Sequence, residues 1–179
     1  MRNIEIKAKI DDPELLVSQV KQLTNADSII IKQHDIFFKV EEGRLKLRIF
    51  EDGSGELLYY VRCNQLGPKL CTYEKVLLNH VQKYHADTCV NLKNILTKSN
   101  GIIGTVKKTR KLYMIDQTRV HIDEVEGLGN FMELEVVLTN EQDLKIGEKI
   151  AQDLMAKFNI KSEDLITESY IDLLSKSNV

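Results

Sequence analysis

The sequence predicts an α+β fold built on a mostly antiparallel sheet. Apolar and polar residues alternate with period 2 in eight segments. Most neighbouring segments are joined by short turns carrying Gly, Asn or Asp. Four stretches with helical spacing interrupt the series or follow it. At 179 residues, 42% of them hydrophobic and 29% charged, the chain has the length and balance of one globular domain spanning 1–179.

The first strand runs over Arg2–Ile10, with Ile4, Ile6, Ala8 and Ile10 on one face and Asn3, Glu5, Lys7 and Lys9 on the other. Asp11-Asp12-Pro13 stops it and opens a helix, with Asp12 as N-cap and Pro13 at the first helical position. That helix carries Leu15, Leu16, Val20 and Leu23 as its apolar stripe and ends near Asn25. The second strand covers about Ser28–Val40. Glu42-Gly43 turns it into a third, Arg44–Phe50, and Asp52-Gly53-Ser54-Gly55 into a fourth, Glu56–Arg62. Gly67-Pro68 precedes a fifth, about Leu70–Leu78. Asp87 is expected to cap a helix over Thr88–Lys98 that Asn100-Gly101 ends. Strands six, seven and eight follow over about Gly104–Tyr113, Thr118–Glu124 and Phe131–Leu138, the last two joined through Gly127-Leu128-Gly129. Two helices close the series, Glu141–Phe158 and Glu163–Ser175, the second capped by Ser162.

Composition excludes several function classes. Lys+Arg 25 against Asp+Glu 27 gives a net charge of −2, which rules out holding nucleic acid by bulk positive charge. Aromatics are 6% with no Trp, a poor supply for a base-stacking surface. No run of 18 apolar residues offers a membrane span, and Met1–Lys7 has no apolar leader segment. Cys63, Cys71 and Cys89 are an odd number without metal-site spacing, which points to free thiols in a reducing, cytoplasmic setting. His80 and His85 are expected on the surface.

The polar faces of the strands are ionic rather than merely polar. Lys7, Lys9, Arg44, Lys46, Arg48, Arg62, Lys108, Arg110 and Arg119 are their nine cations, and Glu5, Glu56, Asp123, Glu133 and Glu135 their five acids, with Tyr60 and His121 between them. Two arrangements satisfy this pattern. An open sheet or sandwich buries the apolar faces together and shows the charges to water. Alternatively, eight strands close into a barrel with helices outside and charges lining a tunnel. A tunnel so rich in cations needs an anion, because unpaired buried charge is costly. A triphosphate suits it, with the acids as seats for hard divalent cations.

The segments Asn3-Ile4-Glu5-Ile6-Lys7, Arg44-Leu45-Lys46-Leu47-Arg48, Tyr60-Val61-Arg62, Lys107-Lys108-Thr109-Arg110, Thr118-Arg119-Val120-His121-Ile122-Asp123 and Leu128-Gly129-Asn130-Phe131-Met132-Glu133-Leu134-Glu135 occur in this order over residues 2–138. Together they resemble the CYTH family, the triphosphate tunnel metalloenzymes. Their wording is most similar to the branch grouped with class IV adenylyl cyclases. The resemblance implies an eight-stranded antiparallel barrel with a charged interior, covered outside by about four helices, that binds a triphosphate with Mg²⁺ or Mn²⁺. Asn3 stands where the family's first Glu would be, which removes one charge from a metal position unless Glu56 or Asp123 restores it.

On this reading Glu5, Glu133 and Glu135 are metal ligands, with Asp123 next. Lys7, Arg44, Lys46, Arg48, Arg62, Lys108, Arg110 and Arg119 hold the triphosphate, Arg by bidentate contact. Tyr60 reaches substrate with its hydroxyl, while Phe37, Phe38, Tyr59 and Tyr73 are assigned to packing and Lys9 to a strand end. The expected activity is hydrolysis of inorganic triphosphate or another small triphosphate by direct attack of water. The alternatives are conversion of ATP to cyclic AMP and pyrophosphate, and binding without turnover. No membrane and no bulk nucleic acid are expected as partners, and a homodimer is compatible with this reading.

Overall fold

The computed structural model describes residues 1–78 and 88–177, so the expected Asp87 cap and the surface assignment of His80 and His85 lie outside the described residues. The elements are β1 (Arg2–Lys9), α1 (Pro13–Lys21), β2 (Ile29–Phe38), β3 (Arg44–Phe50), β4 (Gly55–Arg62), β5 (Lys69–Leu78), α2 (Thr88–Ser99), β6 (Ile102–Ile115), β7 (Thr118–Val125), β8 (Gly129–Leu138), α3 (Leu144–Lys157) and α4 (Tyr170–Ser177). The strands close into an antiparallel barrel in the order β1-β5-β4-β3-β2-β6-β7-β8, with β8 pairing back onto β1. Closure decides between the two arrangements left open by the alternation. It leaves no sheet edge, and it turns one face of every strand inward.

The apolar faces point outward; helices cover those of β1, β7 and β8 and part of β2 and β3, while outward residues of β4 and β5 such as Val61 and Val76 are exposed. Ile4 and Ile6 of β1, Val120 and Ile122 of β7, and Met132, Leu134 and Val136 of β8 pack with Leu16 and Val20 of α1 and Ala151 and Leu154 of α3. Each such aliphatic side chain contributes roughly 1.5–3 kcal/mol when fully buried. Gly147 lets α3 lie close on this face, since a Cβ there would fall 2.8 Å from Ile4 and 2.9 Å from Leu138. Ile36, Phe38 and Leu47 form a second core with Leu92 and Leu96 of α2. Asp12 caps α1 as expected, its Oδ1 accepting from the Glu14 and Leu15 amides at 3.1 and 2.9 Å. Among the described residues no helix is long and apolar enough to cross a membrane.

The C-terminal region departs from expectation. In place of one helix over Glu163–Ser175 capped by Ser162, there is a single 3₁₀ turn at Ser162–Asp164, an extended stretch, and then α4 from Tyr170. Ser169 is the effective cap: its hydroxyl accepts from the Asp172 amide at 3.4 Å, and Asp172 Oδ2 accepts back from the Ser169 amide at 3.1 Å. The reason lies in the barrel. The Ile166 amide donates to the Lys7 carbonyl at 2.9 Å. Lys69, Arg62 and Lys7 donate to the carbonyls of Ile166, Thr167 and Glu168 at 3.1, 3.3 and 3.2 Å. These tertiary partners replace the helical ones the segment would otherwise need. The stretch thereby crosses the end of the barrel marked by Lys7, Arg62 and Lys69, and Phe131 packs against Tyr170 there with ring centroids 5.1 Å apart.

Candidate functional site

The barrel encloses a cavity of about 260 Å³, lined by inward side chains of all eight strands together with Ser169 and Tyr170. Its charged lining comprises eight cations (Lys7, Lys46, Arg48, Arg62, Lys75, Lys108, Arg110 and Arg119) and five carboxylates (Glu5, Asp35, Glu56, Glu133 and Glu135). Cations outnumber carboxylates in this lining, a balance that favours an anion as ligand. The volume lies just under the roughly 300 Å³ at which pockets for drug-sized ligands begin, a size for a compact polyanion.

Two ionic centres organise the lining. The first is Asp35 on β2, 1% exposed, which sequence reasoning missed. It accepts from Lys46 at 3.0 Å, from Arg48 at 2.8 and 3.0 Å, and from Lys108 at 3.1 Å. Burial works to raise its carboxyl pKa, but Arg48, Lys108 and Lys46 outweigh it and hold the group well below the usual carboxylate range. Burial drives the Lys108 ammonium the other way, down to about 7, with Asp35 opposing and Arg48, Arg110 and Lys46 adding to the shift.

The second centre joins β1, β6, β7 and β8. Glu133 meets Lys7 at 3.2 Å and Arg110 at 2.6 Å. Burial would raise its carboxyl, and these two cations hold it well below the usual range. Glu135 Oε2 accepts from Arg119 at 3.0 Å, while Oε1 faces His121 Nδ1 at 3.8 Å. His121 Nδ1 also lies 3.7 Å from Glu133 Oε2.

The remaining expected ligands divide. Glu5 lines the cavity and is paired with Arg62. Asp123 is fully buried behind Arg110, engaging it at 2.6 and 2.5 Å and accepting from the Tyr170 hydroxyl at 2.9 Å. Arg44 pairs with Asp172 of α4 at 2.7 Å, where α4 meets the barrel. Tyr60 faces the cavity as expected; Phe37 and Tyr73, assigned to packing, line it as well. Phe38 is buried in the α2 core, and Tyr59 and Lys9 are exposed. Cys71 lines the cavity too, and burial pushes its thiol up to about 12, away from the thiolate form a nucleophile uses. Lys69, Lys75 and Tyr170 were also missed. Lys69 and Lys75 continue the inward alternation of β5. Tyr170, whose ring lies 3.9 Å from the Lys7 ammonium, comes from α4 and has no strand pattern to reveal it.

The donors fit a divalent cation. Glu133 and Glu135 are hard carboxylates in reach of each other, and the Asn3 Oδ1 and His121 Nδ1 atoms are buried without a hydrogen-bond partner among the described residues. Orphaned buried polar atoms of this kind are costly unless something binds them.

Lys108 gives this site a pH dependence. A depressed lysine pKa means that the unfolded chain holds more protons between about pH 7 and the ordinary lysine value of about 10.4. Stability of the ligand-free protein should therefore rise with pH across that window. A bound polyanion favours the charged ammonium, so its affinity should fall above pH 7, by at most about tenfold per pH unit. Calorimetric titration in buffers of different ionisation heat should show proton uptake on binding at pH 8, and Lys108→Met should remove it.

Three comparisons place the chain among known proteins. The CYTH domain matches residues 1–170. A Methanocaldococcus jannaschii protein named putative adenylate cyclase is 31% identical, over 97% of this chain and 98% of its own. A solved Pyrococcus horikoshii structure superposes with a TM-score of 0.78 at 24% identity, covering 96% of this chain and 98% of that one. A conserved hypothetical protein of Pyrococcus furiosus superposes with a TM-score of 0.76 at 19% identity, covering 96% and 99%. These two structural likenesses establish the fold.

Proposed function

Since the chain belongs to the CYTH domain family, we propose that it is a metal-dependent enzyme that takes a small triphosphate into the barrel and hydrolyses it. The observation that carries this reading is the closed interior itself, with eight cations against five carboxylates around about 260 Å³. We place the protein in the cytosol, in keeping with its three free thiols.

Each part of the lining has a task on this reading. Lys46, Arg48 and Lys108 are gathered on Asp35, so they are already oriented when the anion arrives and need little reorganisation. Arg62 and Arg119 are held by Glu5 and Glu135 in the same way. The polyanion takes over these cations as their counter-charge. Glu133 and Glu135, which line the cavity, hold the divalent ion, and Asp123, buried behind Arg110 and outside that lining, serves to fix the arginine instead. When bound, a Mg²⁺ or Mn²⁺ ion neutralises charge on the phosphate oxygens. On this reading water attacks the terminal phosphorus directly, with no covalent intermediate on the protein.

A second reading is favoured by the name of the Methanocaldococcus relative. In it the ribose 3′-hydroxyl of ATP attacks the α-phosphorus and pyrophosphate leaves. One assay separates the two. The protein is incubated with tripolyphosphate, ATP or thiamine triphosphate and either metal, and the products are identified. Orthophosphate is expected; cyclic AMP with pyrophosphate would replace the first reading by the second; tight binding with no product would overturn both.

A further inference from the structure

The histidine between the two carboxylates faces the cavity rather than the outer core. His121 is 3% exposed and projects from β7 into the barrel, opposite Glu133 in the β7–β8 register. Its Nδ1 has no hydrogen-bond partner among the described residues. The two nearest carboxylate oxygens, at 3.7 and 3.8 Å, are beyond hydrogen-bond reach. A buried imidazole nitrogen aimed at two carboxylates, but held beyond hydrogen-bond distance of both, leaves room between the three groups for an ion. It is what a ligand set looks like before its ion arrives. One donor atom from each of His121, Glu133 and Glu135 lies within 4.8 Å of the others. An ion bonded at about 2.0–2.2 Å to each closes that span with small side-chain rotations.

The neighbouring acids all carry cation partners: Glu5 has Arg62, Glu133 has Lys7 and Arg110, Asp123 has Arg110, and Glu135 Oε2 has Arg119. Glu135 Oε1 stands apart, since among the described residues it faces only the imidazole, and the Nδ1 beside it has no hydrogen-bond partner. We propose that His121 is a metal ligand, so that the site is a mixed nitrogen–oxygen site selecting a first-row transition ion such as Mn²⁺ over Mg²⁺. This rests on the reading of the barrel as a metal-assisted triphosphate site. The chemistry of the donors carries the selectivity. Carboxylate and water oxygens suit both ions, whereas imidazole adds affinity for transition ions and little for Mg²⁺, which dehydrates reluctantly.

The test is pulsed electron paramagnetic resonance of Mn²⁺ bound to the intact protein, with and without tripolyphosphate. Modulation from a directly bound ¹⁴N is expected, and it should change to the ¹⁵N pattern when histidine is ¹⁵N-labelled, which needs no variant. Competition should show Mn²⁺ held at least about tenfold more tightly than Mg²⁺, with the ratio falling towards one in His121→Ala and His121→Gln. Mn²⁺ bound without nitrogen modulation, no Mn²⁺ binding, or an unchanged ratio in both variants would overturn the assignment. Mn²⁺ bound through carboxylates alone would leave the hydrolase reading standing. Nitrogen modulation in a protein that turns over no triphosphate would overturn the hydrolase and leave His121 a ligand.

Discussion

Replacing Glu133 by Gln is expected to lower turnover of triphosphate by about 10²–10³-fold, because losing a carboxylate that holds the ion forfeits several kcal/mol of charge stabilisation in the transition state. The amide has the same size, so the shape of the cavity wall is kept. Lys7 and Arg110 lose their shared counter-charge and remain in the lining, 3.2 and 2.6 Å from the substituted side chain in the parent structure. Binding of tripolyphosphate should accordingly persist or tighten while activity collapses. The metal concentration giving half-maximal rate should rise. Glu135→Gln should act in the same sense, whereas Arg48→Ala should weaken substrate binding without moving the metal requirement. Steady-state kinetics across a metal titration reads all three. Normal turnover and normal metal dependence in both glutamate variants would mean that these acids are only partners of the neighbouring cations.

Replacing Asp35 by Asn is expected to cost roughly 3–5 kcal/mol of stability in the ligand-free protein, the usual loss when one member of a buried charge network is removed. For a chain of this size that is a fall in Tm of roughly 6–20 °C. The cause is specific. Lys46, Arg48 and Lys108 all converge on this carboxylate, and among the described residues none has another anion at comparable distance: Glu56 is 3.8 Å from Arg48. The folded carboxyl lies well below its unfolded value, so its contribution is present above about pH 4 and is lost as pH falls through the folded value. Tripolyphosphate should recover part of the loss, because it offers the same three cations a new counter-charge. A Tm change below about 2 °C, or no recovery with the anion, would contradict the role given to Asp35.

The fold was legible because the two faces of the barrel differ so sharply in chemistry. In β3 and β4 the alternation of Arg44, Lys46 and Arg48 against Leu45, Leu47 and Ile49, and of Glu56, Tyr60 and Arg62 against their neighbours, gives strand limits within a residue of those observed. Asp35 was illegible for the opposite reason. Its strand puts Ile31 and Phe37 on the same inward face as Gln33 and Asp35, while Ile36 and Phe38 face the outer core. A strand apolar on both faces hides its period, and one acid within it reads as incidental. Lys69 follows Gly67-Pro68 and reads as part of a turn, though it begins β5 and is 1% exposed.

Tyr170 and the extended stretch before it were illegible because what shapes them is distant. The contacts that straighten residues 165–168 come from Lys7, Arg62 and Lys69, roughly 100 or more positions away along the chain. A single pair, Ala8 with Leu165, ties the stretch to β1, too short a pairing to leave a period. His121 was visible on the ionic face but unassigned. A lone histidine has no motif, and its meaning depends on Glu133 and Glu135 lying across the β7–β8 pairing.

The central claim is that the barrel interior receives one triphosphate, and ligand-dependent thermal stability tests it most directly. At 100 times its dissociation constant, an anion that binds only the folded state adds about 2.7 kcal/mol, a rise in Tm of about 5–10 °C for a chain of this length. Tripolyphosphate should produce that rise, and orthophosphate at the same concentration much less, because a single phosphate reaches few of the cations lining the cavity. Equal shifts from the two anions would contradict the claim and describe an open basic surface instead.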